Sequence, residues 1–254
     1  MVYTETMIFR LLCVLFFALV SPLGAAEIYP LSVGDVSLEI PVPEGYVAAP
    51  ESDEQYQKAK LQMGAEGSEL LAVFVPIDRP STGEDYEQAL GISMLRKFKD
   101  RDCTKEELEQ MRREATEKMD AAVAKRQRAG GLLNIQPIHD FSDRHFSCAM
   151  RGGMGTKDEG CGVLTMALIR GRMWQFSVMN GQGVTPEDLI WTKDTSKKWV
   201  DSIIANNPSD EATLARENSG ELLSFTHIGV IGGAIVGGIV GIIIKLTKKR
   251  QRRR

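Results

Sequence analysis

The feature that most constrains this chain is an uncharged apolar stretch of seventeen residues, Ile228 to Ile244, near its C-terminal end. A helix rises about 1.5 Å per residue, so this stretch spans roughly 25 Å, slightly less than a hydrocarbon core of about 30 Å. The flanking residues extend the helix into the interfaces, where Lys245 can snorkel outward. The pattern predicts a transmembrane helix at residues 225–246, inserted in a lipid bilayer, and a basic tail at residues 247–254.

The cations behind this stretch predict the orientation of the chain. Seven of them stand between Lys245 and Arg254, and such clusters stay on the cytoplasmic side of a membrane. The whole chain carries a formal charge of −3 and these cations carry +7, while Glu5 and Arg10 cancel, which leaves −10 for the residues before the span. A domain this acidic argues against nucleic acid as a ligand and against binding an anionic membrane surface.

A second apolar run, residues 11–20, lies near the N-terminus. A single cation precedes it, and helix-breaking and small residues follow it, which predicts a cleaved signal peptide at residues 1–26. The run is shorter than a spanning helix needs, so we favour cleavage over an uncleaved anchor that would make a two-span protein. The sequence leaves open whether Met1 or Met7 is the true start.

Between the predicted leader and the predicted anchor, about 200 residues remain, enough for one domain with its own core. Residues 27–207 are expected to form an α+β ectodomain, and the polar residues 208–224 are expected to form a stalk. We therefore predict a single-pass protein of the cell membrane, with an extracytoplasmic ectodomain and a cytoplasmic C-terminus.

Glycine recurs at every fourth position of the predicted span, at Gly229, Gly233, Gly237 and Gly241. Each step rotates about 400° around a helix, so the four glycines stay close to one side. A surface of small residues lets two helix backbones approach closely in lipid. We expect helix–helix packing there and a homo-oligomer. The alternative is that glycine is simply frequent in membrane helices.

The hydrophobic pattern of the ectodomain predicts a central, mostly antiparallel sheet that is covered by helices. Strands are expected where apolar and polar residues alternate, and where a short apolar run is bounded by turn residues. Both faces of the run after Cys161 are apolar, which places that strand inside the sheet, and Pro137 indicates an edge strand. The predicted strands are residues 36–40, 70–75, 132–138, 145–151, 161–170 and 173–179.

The pattern also predicts helices, the first of them from Glu84. Tyr86, Leu90, Met94 and Phe98 recur at every fourth position and form an apolar stripe.

Two further helices carry N-terminal capping signals. Thr104 and Glu107 predict a capping box for a helix that ends before Gly130. This helix has a thin apolar face, so it is either a solvated covering helix, which we favour, or a surface for a partner. The last helix is expected to begin after Thr185 and to end at Asn206. The tryptophans Trp174, Trp191 and Trp199 are predicted to anchor the core.

This order of elements resembles the PsbP-like α/β/α sandwich. The segments that carry the resemblance are Val36–Pro41, Leu70–Pro76, Met173–Met179 and Trp199–Ile204. The resemblance implies an architecture alone. That family shares no catalytic site, so it assigns no functional residue to this chain.

The densest polar cluster is the segment from His139 to His145, which also holds Asp140 and Asp143. Its spacing fits neither a helical zinc motif nor a calcium loop, so we favour a polar turn before a strand. No nucleophile stands on a recognisable elbow. We predict a non-catalytic binding or assembly domain for an unknown protein partner, with no catalytic residue, cofactor or metal. The alternative is a membrane-anchored enzyme or metal-binding protein that uses residues 139–145.

Three cysteines remain in the predicted ectodomain. An odd number in an oxidising compartment leaves at least one free or intermolecular thiol. Cys148 and Cys161 flank a glycine-rich turn and are the candidates for a disulfide across a hairpin. Cys103 would then be the odd one.

Overall fold

A computed structural model describes residues 27–65, 67–78, 88–128, 132–153, 159–181 and 185–219. The predicted leader, transmembrane helix and tail lie outside these residues, as do the four glycines of the span. Within the described ranges, no helix is both long and apolar enough to cross a bilayer. The strands are β1 (Ile28–Val33), β2 (Val36–Pro41), β3 (Tyr46–Ala48), β4 (Ser68–Pro76), β5 (Gln88–Leu95), β6 (Leu132–Phe141), β7 (His145–Gly153), β8 (Glu159–Ile169) and β9 (Arg172–Asn180), and the α-helices are α1 (Glu54–Ala65), α2 (Lys105–Arg128), α3 (Pro186–Asn206) and α4 (Glu211–Glu217).

The strands belong to two sheets. β1 and β2 pair as an antiparallel hairpin, and the other seven form one sheet in the order β3-β4-β5-β9-β8-β7-β6. Every neighbouring pair in the larger sheet is antiparallel. This confirms the α+β class, the meander of β7, β8 and β9, and the edge position of the strand that contains Pro137.

Alternation along the strands separates two apolar faces of the larger sheet. One face packs against α3 and the β1–β2 hairpin, and the other packs against α1 and α2. β8 contributes Val163 and Ala167 to the first face and Leu164 and Met166 to the second. The prediction that this strand lies inside the sheet, with helices on both sides, is therefore confirmed.

Trp199 is the centre of the core under α3. Its ring contacts Phe74 and Phe176 edge-on, with 5.8 Å between ring centroids in both pairs. Its indole N–H donates to Pro41 O at 3.0 Å, so the one polar atom of the ring is satisfied inside the core. The predicted core positions of Trp199 and Trp174 are confirmed, since both are buried.

The structure of residues Gln88–Leu95 differs from the helix that the sequence predicts. The sequence predicts a helix from Glu84, but this range forms the strand β5, so the prediction is wrong there. A spacing of four residues fits one face of a helix, and it also fits a strand, where every second residue shares a face. Leu90, Ile92 and Met94 are all buried on the α3 face. Their spacing of two residues is the period of a strand.

The two predicted capping boxes are present. Thr104 Oγ1 accepts from Glu107 N at 3.2 Å, and Glu107 Oε2 accepts from Thr104 N at 3.0 Å. Thr185 and Asp188 make the same exchange at 3.2 and 3.0 Å. Each pair satisfies two backbone N–H groups that have no partner inside the helix, which is why α2 and α3 begin where the sequence indicates.

Residues 208–219 differ from the polar stalk that the composition suggests. Asp210 caps α4 by accepting from Thr213 N at 2.7 Å, and Glu217 at the end of α4 is only 1% exposed. The segment is polar because it docks through ion pairs and hydrogen bonds. The rest of the expected stalk, residues 220–224, lies outside the described residues.

Candidate functional site

The larger sheet presents a strip of small and polar residues between α1 and α2. α1 packs on β4 and α2 packs on β6 and β8, so β5 and β9 lie between the two helices. On this face every second residue of β5 and β9 points away from the α3 core. We call these six residues the interhelical strip: Ala89, Gly91, Ser93, Gln175, Ser177 and Met179.

The strip is bordered by apolar residues on both sides. Gly91 lies opposite Ser177, and Ser93 lies opposite Gln175. The neighbouring positions on β4 are Val73 and Leu70, and those on β8 are Leu164 and Met166. The face therefore changes from apolar under α1 to polar in the middle and back to apolar under α2.

Two side chains of the strip are buried and lack a hydrogen-bond partner among the described residues. Ser93 is 3% exposed and Gln175 is 5% exposed. Neither the Ser93 hydroxyl nor the Gln175 amide bonds to any residue in the described ranges. In those ranges Arg172 Nε is the one fully enclosed side-chain nitrogen or oxygen without a partner. The polar atoms of Ser93 and Gln175 are therefore not fully enclosed, although both residues are largely buried.

Gly91 allows a close contact between β5 and β9. A Cβ at this position would stand 2.6 Å from Ser177 Oγ, closer than side-chain carbons approach. The Ser177 hydroxyl instead donates to Gly91 O at 3.5 Å. The absence of a side chain at Gly91 thus lets the neighbouring strand bring a hydroxyl against the backbone.

The sequence contains a pattern that predicts this strip, but the pattern is visible only if residues 88–95 are taken as a strand and not as part of a helix. In β9, Gln175 and Ser177 alternate with large apolar residues. Reading Gln88–Leu95 as a strand places Gly91 and Ser93 on the face opposite Leu90. Two adjacent strands with small or polar residues on one face would then have marked the position.

His145, a candidate of the polar cluster, is buried at the start of β7. Its Nε2 lies 3.3 Å from Asp140 Oδ2, and its Nδ1 lies 3.0 Å from Ser142 Oγ. Partial burial opposes ionisation of Asp140, but the hydrogen bond from His145 and the nearby charge of Lys197 hold the pKa of Asp140 below its ordinary value.

Ser142, His145 and Asp140 are the residue types of a hydrolytic triad. Whether Ser142 could act as its nucleophile depends on whether a lone pair of its Oγ is free. Ser142 Oγ accepts from the backbone N–H of Arg144 at 3.1 Å and of His145 at 3.2 Å. Both lone pairs are then used, and the hydroxyl proton is left to donate to Nδ1. This arrangement favours a turn that is capped by Ser142 over a nucleophile.

The other members of the polar cluster bond elsewhere. Asp143 forms an ion pair with Lys105 at 2.6 Å, and this hydrogen bond lowers the pKa of Asp143. His139 is exposed on β6. Across the described ranges, no three His, Cys, Asp or Glu side chains are grouped so that they could hold a metal ion. The alternative of an enzyme or metal site requires His139, Asp143 and His145 to converge, and the structure does not bring them together.

The three cysteines of the domain are free thiols and are buried. Cys148 lies among the residues under α2, whereas Cys161 lies under α3 with its Sγ 3.2 Å from Thr192 Oγ1. The two thiols are on opposite faces of the sheet, so the structure does not pair Cys148 with Cys161. Burial raises the pKa of Cys103 and of Cys148 to about 12, which makes both thiols poor nucleophiles at neutral pH.

A cluster at one end of the sheet holds α4 against the domain. Glu217 Oε1 accepts from Gly171 N at 2.9 Å and from Ser209 Oγ at 2.9 Å, and Glu217 Oε2 accepts from Arg144 Nη2 at 3.2 Å. The neighbouring Arg216 pairs with Asp102 at 2.9 Å. We call Arg144, Gly171, Ser209 and Glu217 the α4 docking cluster. It joins the C-terminal end of the described chain to the β6–β7 and β8–β9 turns.

The sequence matches no protein-family model and no curated protein. Among solved structures, the chain is similar to cyanobacterial PsbP (CyanoP) from Synechocystis, with 11% identity and a TM-score of 0.33 over 75% of this chain and 96% of that chain. It is also similar to a mutant of the protein Mog1, with 8% identity and a TM-score of 0.32 over 74% of this chain and 98% of that chain. The weak architectural resemblance to the PsbP-like sandwich is thus confirmed, and nothing about function follows from it.

Proposed function

We propose that this chain is a single-pass protein of the cell membrane whose acidic domain lies outside the cytoplasm and acts by binding. The apolar stretch Ile228–Ile244 and the seven cations between Lys245 and Arg254 support the anchor and its orientation. The observation that carries the binding role is the interhelical strip. Within the described ranges, Ser93 and Gln175 of this strip have no protein hydrogen-bond partner, so their polar groups are available to a bound molecule.

The remaining reactive groups support binding over catalysis. Both ring nitrogens of His145 are engaged by neighbours in the same turn. The thiols of Cys103, Cys148 and Cys161 are enclosed in the two cores. A general base or a nucleophile must be within reach of a substrate, and these groups serve the packing of the domain.

The α4 docking cluster supports a domain that is held near the membrane. Ser219 is the last described residue, and residues 220–224 separate it from the proposed span at residue 225. An extended chain covers at most about 3.5 Å per residue, so this connection reaches no more than about 20 Å. With α4 docked, the proposed tether is therefore much shorter than the 17 residues of an undocked stalk, 208–224.

Cysteine accessibility tests the proposed topology. Leu61 on α1 is 75% exposed, and the native thiols of the domain are buried, so Leu61→Cys supplies one reactive site. In a Cys13→Ser background, a membrane-impermeant maleimide should label Leu61→Cys in intact cells. The matched variant Gln251→Cys in the tail should be labelled only after the cells are lysed.

Alkaline carbonate extraction completes this test, because an integral protein stays in the membrane pellet. Labelling of Gln251→Cys in intact cells would reverse the orientation. Release of the chain from the membrane by carbonate would contradict the proposed transmembrane anchor.

A further inference from the structure

We propose that α4 is a latch that releases from the folded domain as a unit, while the sheet and the helices α1, α2 and α3 stay folded. This inference concerns the motion of one element and adds a conformational device to the proposed binding domain. It follows from three properties of α4, which are the polar character of its contact, the short hinge before it and its small length.

The contact between α4 and the domain buries almost no apolar side chain. Of the seven residues of α4, Thr213 and Glu217 are buried, Leu214 is half-buried, and the other four are exposed. Among the described residues, none of the seven belongs to an apolar core. By contrast, α3 contributes Trp199 and Ile203 to the core on its face of the sheet. Because burial of apolar surface is the dominant favourable term in folding, α4 is held far less firmly than α3.

The bonds that hold α4 are polar, and water can replace each of them. Glu217 accepts its hydrogen bonds inside the α4 docking cluster, and Arg216 pairs with Asp102. The second pair is 52% and 43% exposed, and ion pairs with such exposure contribute little. When α4 leaves, Glu217 enters water, and water reaches Arg144, whose side chain is already 21% exposed. Neither charge is then left buried and unpaired, so release costs little.

Pro208 and Ser209 form the hinge. The residue before them, Asn207, is fixed to β2, since its side chain accepts from Glu39 N and donates to Glu39 O at 2.8 Å each. The residue after them, Asp210, caps α4 and therefore moves with it. Hinges need only a few positions that absorb the change in backbone angles. The core under α3 can thus stay as it is when α4 moves.

The small length of α4 favours release. A helix of fewer than about 12 residues is marginal in water, and α4 has seven. Release therefore also frees the backbone of residues 208–219, and the gain in conformational entropy stabilises the released state. With the proposed span at residue 225, the tether would lengthen from residues 220–224 to residues 208–224, and its greatest reach would rise from about 20 Å to about 60 Å.

Amide hydrogen exchange of the full-length chain in detergent micelles, followed by NMR, tests the proposal. The Gly171 amide reports on the latch, because its acceptor is Glu217. The Cys103 amide is the matched control, since it donates to Gly171 O at 2.8 Å and not to α4. The amides of Gly171 and α4 should be protected about tenfold less, or weaker still, than those of Cys103 and α3. Low concentrations of urea should leave their exchange unchanged, because local opening exposes little surface.

Equal protection of Gly171, Cys103 and α3, with the same dependence on urea, would overturn the proposal. It would mean that α4 opens only when the whole domain unfolds. This comparison needs no variant, so it does not depend on whether a variant folds. It is also read inside the domain, so its outcome is separate from that of the topology tests.

Glu217→Gln tests whether the carboxylate holds the latch, since it removes the charge and keeps the size of the side chain. Protection of Gly171 and α4 should fall by about tenfold or more, because hydrogen bonds to a charged group are the stronger ones. Protection of α3 should stay within about twofold. Glu211→Gln makes the same chemical change at an exposed position of α4 and should leave all protection within about twofold. A matching loss of protection in α3, or the same loss in Glu211→Gln, would count against the latch.

Discussion

At the scale of single residues, Glu217 is the side chain on which the end of the folded domain most depends. Its side chain is 0% exposed, and its carboxylate is satisfied by Arg144, Gly171 and Ser209. A buried carboxylate is tolerated when every oxygen has a partner, and removing it leaves those partners unsatisfied. The polar composition of residues 208–219 does not indicate this docking role of Glu217. The role depends on contacts with turns that are distant in the sequence.

Glu217→Ala should destabilise the folded domain by about 2–4 kcal/mol, since it leaves Arg144 unpaired and a backbone N–H without an acceptor. The decrease is measured as the change in thermal or urea unfolding of the full-length chain in detergent. Glu211→Ala is the control, because Glu211 is exposed on the same helix, and it should have little effect. An equal effect of the two variants would show that α4 contributes no ionic docking.

Asp140 should give the domain part of its sensitivity to acid. Its pKa in the folded state lies below the ordinary 3.8, so its contribution to stability is present above that value and is lost as the pH falls through the lowered pKa. Partial exposure of Asp140 and screening by solvent keep the effect small.

The measurement is the difference in unfolding temperature between the wild type and Asp140→Asn. This difference should be largest near neutral pH and should shrink below about pH 4 as the wild-type carboxylate is protonated. A difference that stays constant between neutral pH and pH 3 would mean that Asp140 acts through its shape and not through its charge.

At the scale of elements, the two sheet faces explain which parts of the fold follow from the sequence. The meander of β7, β8 and β9 alternates regularly and ends at glycine-containing turns, so its strands were predictable. β5 was not, because a four-residue spacing serves a helix and a strand equally well. Only pairing with β4 and β9 distinguishes the two, and pairing between distant segments is not visible in a local pattern.

The same limit applies to the candidate site. Gln175 and Gly91 are far apart along the chain, and they belong to one strip because β5 pairs with β9. The polar cluster that includes His145 is local in sequence and therefore easy to see. Its side chains turn out to satisfy one another or a neighbouring lysine. The density of polar residues in the sequence thus indicated a turn, and less conspicuous residues form the candidate strip.

Gly91→Ala tests the close pairing of β5 and β9. The added methyl group would meet Ser177 Oγ at 2.6 Å, so either the Ser177 hydroxyl must rotate and lose its bond to Gly91 O or the strands must shift, at a cost of about 1–3 kcal/mol. Ser177→Ala removes the hydroxyl, and the double variant should recover most of that loss. The unfolding free energies of the four proteins form a double-mutant cycle, and additive effects would show that the two positions do not touch.

At the scale of the whole molecule, the proposed anchor places two kinds of recognition in one chain. On this proposal the folded domain would offer the interhelical strip, and the docked α4 would keep that domain within reach of the bilayer. In the proposed span, the glycines at 229, 233, 237 and 241 would offer a separate surface for a second copy of the chain. Pairing through the anchors would present two domains side by side, and two weak sites would then bind a repeated ligand more tightly than one.

Gly233→Leu combined with Gly237→Leu should abolish this pairing. Two leucines on the glycine side of the helix would hold the backbones apart and remove the close packing that replaces a hydrophobic driving force in lipid. Ile235→Leu combined with Ile239→Leu changes the opposite side and is the control. The measurement is the mass of the full-length protein in detergent, by chemical crosslinking and by light scattering. A dimer that persists in the glycine double variant, or is lost equally in the control, would contradict pairing through the glycines and leave the domain as a monomeric binder at the membrane.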